Sequence, residues 1–329
     1  MFRIELVEDE RSLEALTAPW WELWRRAPDA TPFRSPAWLG PWWRAFSPGR
    51  LATVAVWAGP DLAALAPAYV EDGSLGRRLL PLGIGISDDL DILCDPAHAN
   101  EALPGLAVAL AALPGVDVWE FEELAPGATA WRLPLPAGLT EEVADQSACP
   151  VLPLSGEDGL GAVPSRQRRK LRMARHRTAR RGGEVREVDA PDLDAFLQDL
   201  RRLHGARWRS RGEGGVLDSD AVERFHRAAL PRLAEAGLAD LLVLEIEGRA
   251  VGAHYGLRTP GRAYAYLGGF DPAFAFESPG TVLLGEAIAR ASAQGAREMH
   301  MLRGQEAYKY AWGATDRPNR RRSWRRTGA

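Results

Sequence analysis

The sequence predicts an α/β protein of two similar domains, each a mixed sheet with flanking helices, with a cleft between them. Three observations carry this. The chain has 329 residues, enough for two domains at roughly 150 residues each. Runs of strand-like alternation are interleaved with stretches of helical spacing. The order strand, helix, helix, three strands, helix, strand then occurs twice, so residues 1–160 and 161–329 are expected to be separate domains.

In the first half, "RIELVE" (3–8) alternates like a strand. A Trp-rich helical stretch with Trp20, Trp21 and Trp24 follows, then "SPAWLGPWWRAF" (35–46). Residues 51–59 and 61–72 read as strands joined at a Gly-Pro hairpin. Residues 77–96 continue the sheet, 100–113 form a helix and 116–124 a strand. The second half repeats the order more clearly. Residues 183–188 form a strand, and 191–208 and 218–237 form helices. A three-strand meander over 239–270 turns at Glu247-Gly248 and Pro260-Gly261. A helix opens at Ser278, "REMHML" (297–302) is a strand, and "QEAYKYAW" (305–312) is a short helix.

Composition narrows the class. Apolar residues make up 46% of the chain, ordinary for a globular protein. Cys94 and Cys149 have neither metal-ligand spacing nor a disulfide framework, which favours a reducing compartment. The start "MFRIELVEDE" lacks the basic and apolar regions of a signal peptide, and no apolar run approaches a membrane span, so a soluble cytoplasmic protein is expected. The net charge of −3 hides two basic clusters. Residues 166–181 hold nine Lys/Arg and residues 317–326 six, with no acid in either, and removing them leaves −18 on the rest. Such asymmetry suits an anionic partner, and the plainer reading is docking on the acidic body.

The segment "FESPGTVLLGEAIARA" (276–291) is a well-marked helix start. Leu284, Ala287, Ile288 and Ala291 share a face, Ser278 stands at the N-cap and Pro279 at the first helical position. Gly280 leaves the backbone bare there. The plain reading is a good cap; the sharper one is a seat for an anion, because unpaired N–H groups and the positive dipole end converge.

Five stretches carry a resemblance: "SPAWLGPWW" (35–43), "SDDLDIL" (87–93), "SRQRRKLRMARHR" (165–177), "YLGGFDPAFAFESPGTVLL" (266–284) and "LRGQEAYKYAWG" (302–313). In this order the chain resembles tandem GNAT acyltransferases, the branch holding FemAB-type aminoacyl transferases and CelD-type acetyltransferases of bacterial cellulose biosynthesis. Gln305 and Ala307 depart from the acid and proline expected there, and His300 from a common strand acid. The resemblance implies an N-acyltransferase moving an acyl group from acyl-CoA or an acyl carrier protein to a small amine acceptor. Its alternatives are an aminoacyl-tRNA-dependent transferase, with tRNA held by the basic arm 165–181, and a catalytically inactive binding protein. No metal is implied.

The same resemblance implies where the chemistry sits. A gap between the fourth and fifth strands of the second domain takes the acyl group, and the helix start offers Ser278, Gly280 and Thr281 to the donor phosphates, although acidic Asp271 and Glu277 stand beside it. Lys309, within an aromatic-Lys pattern, is the strongest catalytic candidate, as an oxyanion or phosphate stabiliser. Asp271, Glu277 and His300 are candidate proton relays, with turn and helix capping for the two acids and a satisfied strand histidine as the plainer readings. Tyr308 and Tyr310 flank Lys309 on different sides of a helix, and one is expected to pack in the core. Arg303 suits a substrate carboxylate, or an ion pair with Glu306.

Overall fold

The computed structural model describes residues 2–73, 76–209 and 215–327. The chain divides into two compact units, residues 1–147 with 318–329, and residues 148–317. The second unit therefore begins earlier than residue 161, and the chain's end belongs with the first. Two strands explain the difference. β9 (Leu139–Pro153) and β15 (Thr315–Arg326) occupy stretches that read, in sequence, as a linker and a charge cluster.

The first unit opens with β1 (Phe2–Val7), α1 (Glu10–Ala15), α2 (Thr17–Arg26) and α3 (Pro36–Phe46). The tryptophans make both longer helices core elements: Trp20, Trp38 and Trp42 are at most 2% exposed. Their polar edges are matched, Trp20 Nε1 donating to Arg34 O and Trp38 Nε1 to Ser87 Oγ. Strands β2 (Arg50–Leu51), β3 (Thr53–Ala58), β4 (Asp61–Ala66), β5 (Ala68–Gly73), β6 (Gly76–Pro81) and β7 (Leu93–Cys94) follow. The expected 61–72 strand is split at Pro67: β4 lies in a sheet ordered β1-β3-β4-β7, whereas β5 pairs with β6 and β2 elsewhere. A proline cannot donate to a ladder, so it marks the place where the strand changes sheet. α4 (Ala99–Ala111) packs its Leu103, Leu106 and Leu110 into the core and leads to β8 (Val118–Leu124).

β15 brings the second basic cluster into this unit as a strand beside β8. Trp324 is fully buried, with its ring 4.9 Å from Phe121. Four of its arginines are paired with acids of this unit: Arg320 with Asp145, Arg321 with Glu120, Arg322 with Glu141 and Arg325 with Glu142. For residues 317–326 the plainer reading, docking on acids, is what the structure contains.

The second unit starts with α5 (Ser165–Arg180), β10 (Glu184–Glu187), α6 (Leu193–Arg209) and α7 (Asp220–Glu235). The meander is β11 (Ala239–Ile246), β12 (Arg249–Thr259) and β13 (Arg262–Phe270). Its turns fall at the expected dipeptides: Glu247 and Gly248 both have positive φ, as a tight hairpin turn requires, and Gly261 has φ 78°. α8 (Pro279–Ala293), β14 (Glu298–His300) and α9 (Ala307–Ala311) complete it. Strands β10 to β13 are antiparallel in sequence order. β14 then lies parallel to β13, with the end of β9 on its other edge. β12 separates two helix layers. On one face a Cβ at Gly252 would lie 2.8 Å from Leu283 of α8; on the other, Tyr255 meets Phe196 of α6 and His226 of α7.

Candidate functional site

β13 and β14 stay paired for only three residues, Arg262–Tyr264 against Glu298–His300. Beyond them β13 continues, paired with β12 on its other edge as far as Phe270. The chain after His300 turns the other way, Met301 N donating to Pro150 O. The two strands therefore part, and half-buried Ala265, Tyr266, Leu267 and Gly268 present one edge to the gap. Backbone groups on such an edge are fixed dipoles able to meet a polarised carbonyl. The first unit repeats the motif: β6 and β8 pair in parallel only at Arg78–Leu79 and Val118–Trp119. A small space of about 30 Å³ lined by Leu80, Pro81, Phe121 and Glu122 lies where they part.

His300 stands at the point of divergence. Its Nε2 lies 2.8 Å from Glu298 Oε1, and its ring is 4.8 Å from that of Tyr264, its partner across the ladder. Glu298 also takes Arg317 at 2.8 Å. The hydrogen bond from His300, followed by Arg317, holds the Glu298 carboxyl well below the usual carboxylate range. An ionised carboxylate at Nε2 requires a hydrogen on that nitrogen. In the neutral ring Nδ1 is then the lone-pair acceptor, the arrangement of a carboxylate-oriented general base. Glu298 was missed in the sequence, though the signal existed: residues two apart on a strand share a face.

Lys309 is differently employed from the sequence expectation. It is 3% exposed, and its ammonium donates to Leu302 O, Arg303 O and Gly304 O at 3.1, 2.7 and 3.1 Å. Glu306 Oε2 lies 2.9 Å away. An ammonium has three N–H donors, and three carbonyls claim them, so none is left over for a developing oxyanion. The loop it grips is left-handed at Leu302, φ 60°, a strained setting for a leucine, and turns again at Gly304, φ 104°, which glycine takes freely. This corrects the catalytic assignment: Lys309 clamps the turn after β14.

Asp271 is corrected likewise. It accepts from Ala273 N, capping the turn Pro272–Phe274, and pairs with Arg249 at 2.6 Å. Tyr308 is 42% exposed on α9, whereas the Tyr310 hydroxyl donates to Asp316, which also takes Gln305. Neither tyrosine is a core residue. Arg303 is half-buried, its carbonyl held by Lys309.

The helix start is where the sequence put it, with Pro279 first in α8. Ser278 is nevertheless left-handed at φ 57° and its hydroxyl makes no cap bond; it donates to Ala275 O instead. Thr281 N is taken by Ser278 O. Gly280 leaves room, since a Cβ there would meet only the Phe270 ring at 3.6 Å. The acid beside it is neutralised: Glu277 is buried and pairs with Arg181, which also holds Glu247.

A polar opening of about 460 Å³ lies between α6 and α7, lined by Gln198, Arg201, Arg202, Glu223, His226 and Arg227 among others. Glu223 bridges Arg201 and Arg227 there. His226 is buried against Tyr255 and Tyr266, ring centroids 5.5 and 5.7 Å away. Burial pushes its pKa down to about 3 and keeps the ring neutral. Tyr266 belongs to the open edge of β13, so His226 of the opening touches the strand that borders the gap.

Among the described residues no helix is long and apolar enough to cross a membrane, and no group of side chains is arranged to hold a metal ion. A family model for the acetyltransferase (GNAT) domain matches residues 165–310. No curated protein matches the sequence. Solved structures superpose along nearly all of it. FemX does so with a TM-score of 0.68 at 13% identity, over 97% of this chain and 96% of that one. L-PGS from Bacillus licheniformis gives 0.59 at 14%, over 98% and 93%. A tandem GNAT protein from the clavulanic acid biosynthesis pathway gives 0.51 at 13%, over 100% and 99%. At such identities the likeness is one of fold. With the parted parallel strands and the repeated topology, residues 165–310 carry a GNAT acetyltransferase-type domain, and the chain as a whole has the tandem fold of these structures.

Proposed function

We propose that the protein is an N-acyltransferase that moves an acyl group from a phosphopantetheine thioester to an amine. The observation that carries this is His300, tied to Glu298 at the point where β13 and β14 part. The thioester carbonyl lies against the open edge Ala265–Gly268, whose backbone N–H groups stabilise the oxyanion. The amine enters by the opening between α6 and α7, where neutral His226 does not repel it. As the C–N bond forms, His300 Nδ1 takes the amine proton. The C–S bond then breaks, and the departing thiolate takes a proton, with exposed Tyr308 as the candidate donor. The bare start of α8 at Gly280, with the Ser278 and Thr281 hydroxyls beside it, receives the donor's phosphate, and Arg303 lies on the loop after β14 for an acceptor carboxylate.

The fit to acyl-CoA is partial. Room exists at Gly280, but the loop over residues 270–278 offers no cation of its own, and Arg177 and Arg181 beside it are engaged with Ser278 and Glu277. Thiol release measured with acetyl-CoA and acetyl-pantetheine against a panel of amines tests the reading. His300→Ala is expected to lower kcat/KM by about 100-fold, and Glu298→Gln by less. Absence of thiol release with every thioester and amine, from folded protein, would reject it.

A further inference from the structure

α5 carries a surface that the reaction does not use. Its buried stripe is Gln167, Leu171, Ala174 and Thr178, seated on α8, where Gly285 makes room for Leu171. The remaining faces expose Arg166, Arg168, Arg169, Lys170, Arg172 and Arg180. None of these six makes an ion pair among the described residues. In a chain with 44 acids against 41 Lys/Arg, and with most β15 arginines paired, six unpaired cations on one helix, five of them within residues 166–172, are an exception. They run along 16 residues, about 24 Å at helical rise.

We propose that this face docks an acidic acyl carrier protein, which delivers its phosphopantetheine thioester to the gap between β13 and β14. The inference rests on the thioester reading above and names the donor's class. Two observations favour a protein over other polyanions. Met173 is 51% exposed in the middle of the ridge, and Phe276 is 70% exposed, with the Arg177 guanidinium 4.6 Å from its ring. Met, Phe and Arg together are the composition of a protein interface core; a phosphate backbone has no use for the methionine. An interfacial membrane helix, for its part, needs its apolar stripe for the bilayer, and here that stripe is spent on α8.

The position of the ridge decides the donor. The last turn of α5 and Arg181 lie against the loop that opens α8, Arg177 Nη2 at 3.5 Å from Ser278 Oγ and Arg181 at 3.2 Å from Glu277. A carrier docked along α5 thus presents its arm at the helix start. That arm bears one phosphodiester, a single charge for the bare helix start at Gly280 to meet. Coenzyme A brings a diphosphate and a third phosphate, for which the loop keeps no spare cation. The remaining charge of the carrier lies on its surface, opposite the ridge.

The test is binding to full-length protein by surface resonance. The probes are an acidic carrier protein bearing acetyl-phosphopantetheine, duplex RNA, and vesicles containing anionic phosphatidylglycerol. The carrier is expected to bind the native protein. Raising salt, or the triple reversal Arg168→Glu, Arg169→Glu, Arg172→Glu, should weaken it by about tenfold or more. The three residues are exposed, so the melting temperature should stay unchanged. Failure of the carrier to bind, or equal binding by the reversed variant, overturns the proposal. So does capture of RNA or vesicles, lost in the variant, without capture of the carrier. Turnover of acetyl-pantetheine by the native protein separates this from the chemistry: a transferase that uses the small thioester but ignores the carrier keeps the reaction and loses the docking site.

Discussion

At the scale of single residues, two lysine roles can be told apart by the size of the effect. An ammonium aimed at an oxyanion contributes in the transition state, and its loss costs on the order of 100-fold in turnover. A clamp on Leu302, Arg303 and Gly304 carbonyls contributes to the folded state. Removing it leaves buried acceptors unsatisfied, at about 3 kcal/mol. Lys309→Ala should therefore melt earlier yet, well below its melting temperature, keep turnover within about threefold. Lys309→Arg should not restore stability, because a planar fork does not fill a cup made for a compact ammonium. Steady-state kinetics beside melting curves check both. The sequence showed that Lys309 was unusual, one of two lysines among aromatics. It did not show the backbone bending back around it, because the left-handed turns at residues 302 and 304 are a tertiary outcome.

His226 supports a prediction about pH. Its folded pKa lies near 3, lowered by burial, while an unfolded histidine titrates near 6.5. Below about 6.5 the unfolded chain binds a proton that the folded chain refuses. Stability is thus complete above that pH and falls as the solution is acidified toward the folded value, by up to about 1.4 kcal/mol per unit. His226→Leu should flatten the slope of unfolding free energy between pH 6 and pH 4.5. Buried His254, shifted in the same direction by burial, adds to the slope over the same range. An unchanged slope in urea titrations would place the proton elsewhere.

At the scale of elements, α5 is the instructive case. Its charges were legible and its exposed face follows from them, but only packing reveals the stripe that holds it. A Cβ at Gly285 would lie 2.5 Å from Leu171 Cδ1. Glycine inside a helix costs up to about 1 kcal/mol against alanine, so its presence marks a close approach. Gly285→Val should cost about 2 kcal/mol through overpacking and loosen α5, which hydrogen exchange along residues 166–180 would detect. The meander of β11 to β13 was readable because Glu-Gly and Pro-Gly turns punctuate alternating runs. β9 and β15 were not, for a physical reason. Their side chains are charged on both faces, since acids of one answer arginines of the other, as in Arg322 with Glu141. That pairing hides the apolar alternation on which strand reading depends.

At the scale of the whole molecule, the sequence repeat was legible and the closure of the first unit was not. Residues 318–329 return to a unit whose other members all precede residue 148. The last strand is therefore no tail. Trp324 is fully buried against Phe121, and Arg322 is 4% exposed, bonded to Glu141 and Ala130 O. Losing one such tryptophan to alanine costs about 3–5 kcal/mol, a large part of what a domain has to spare. Trp324→Ala should lower the melting of the first unit, and a chain ending at residue 317 should fail to fold it. The second unit, residues 148–317, keeps its own core of Leu171, Val251, Leu283, Ile288 and Trp312. Calorimetry of Trp324→Ala is expected to show a lowered transition beside a retained one, and limited proteolysis should leave a resistant fragment from about residue 148 onward. Melting of both units together, at one lowered temperature, would mean that the chain folds as a single cooperative body despite its two cores.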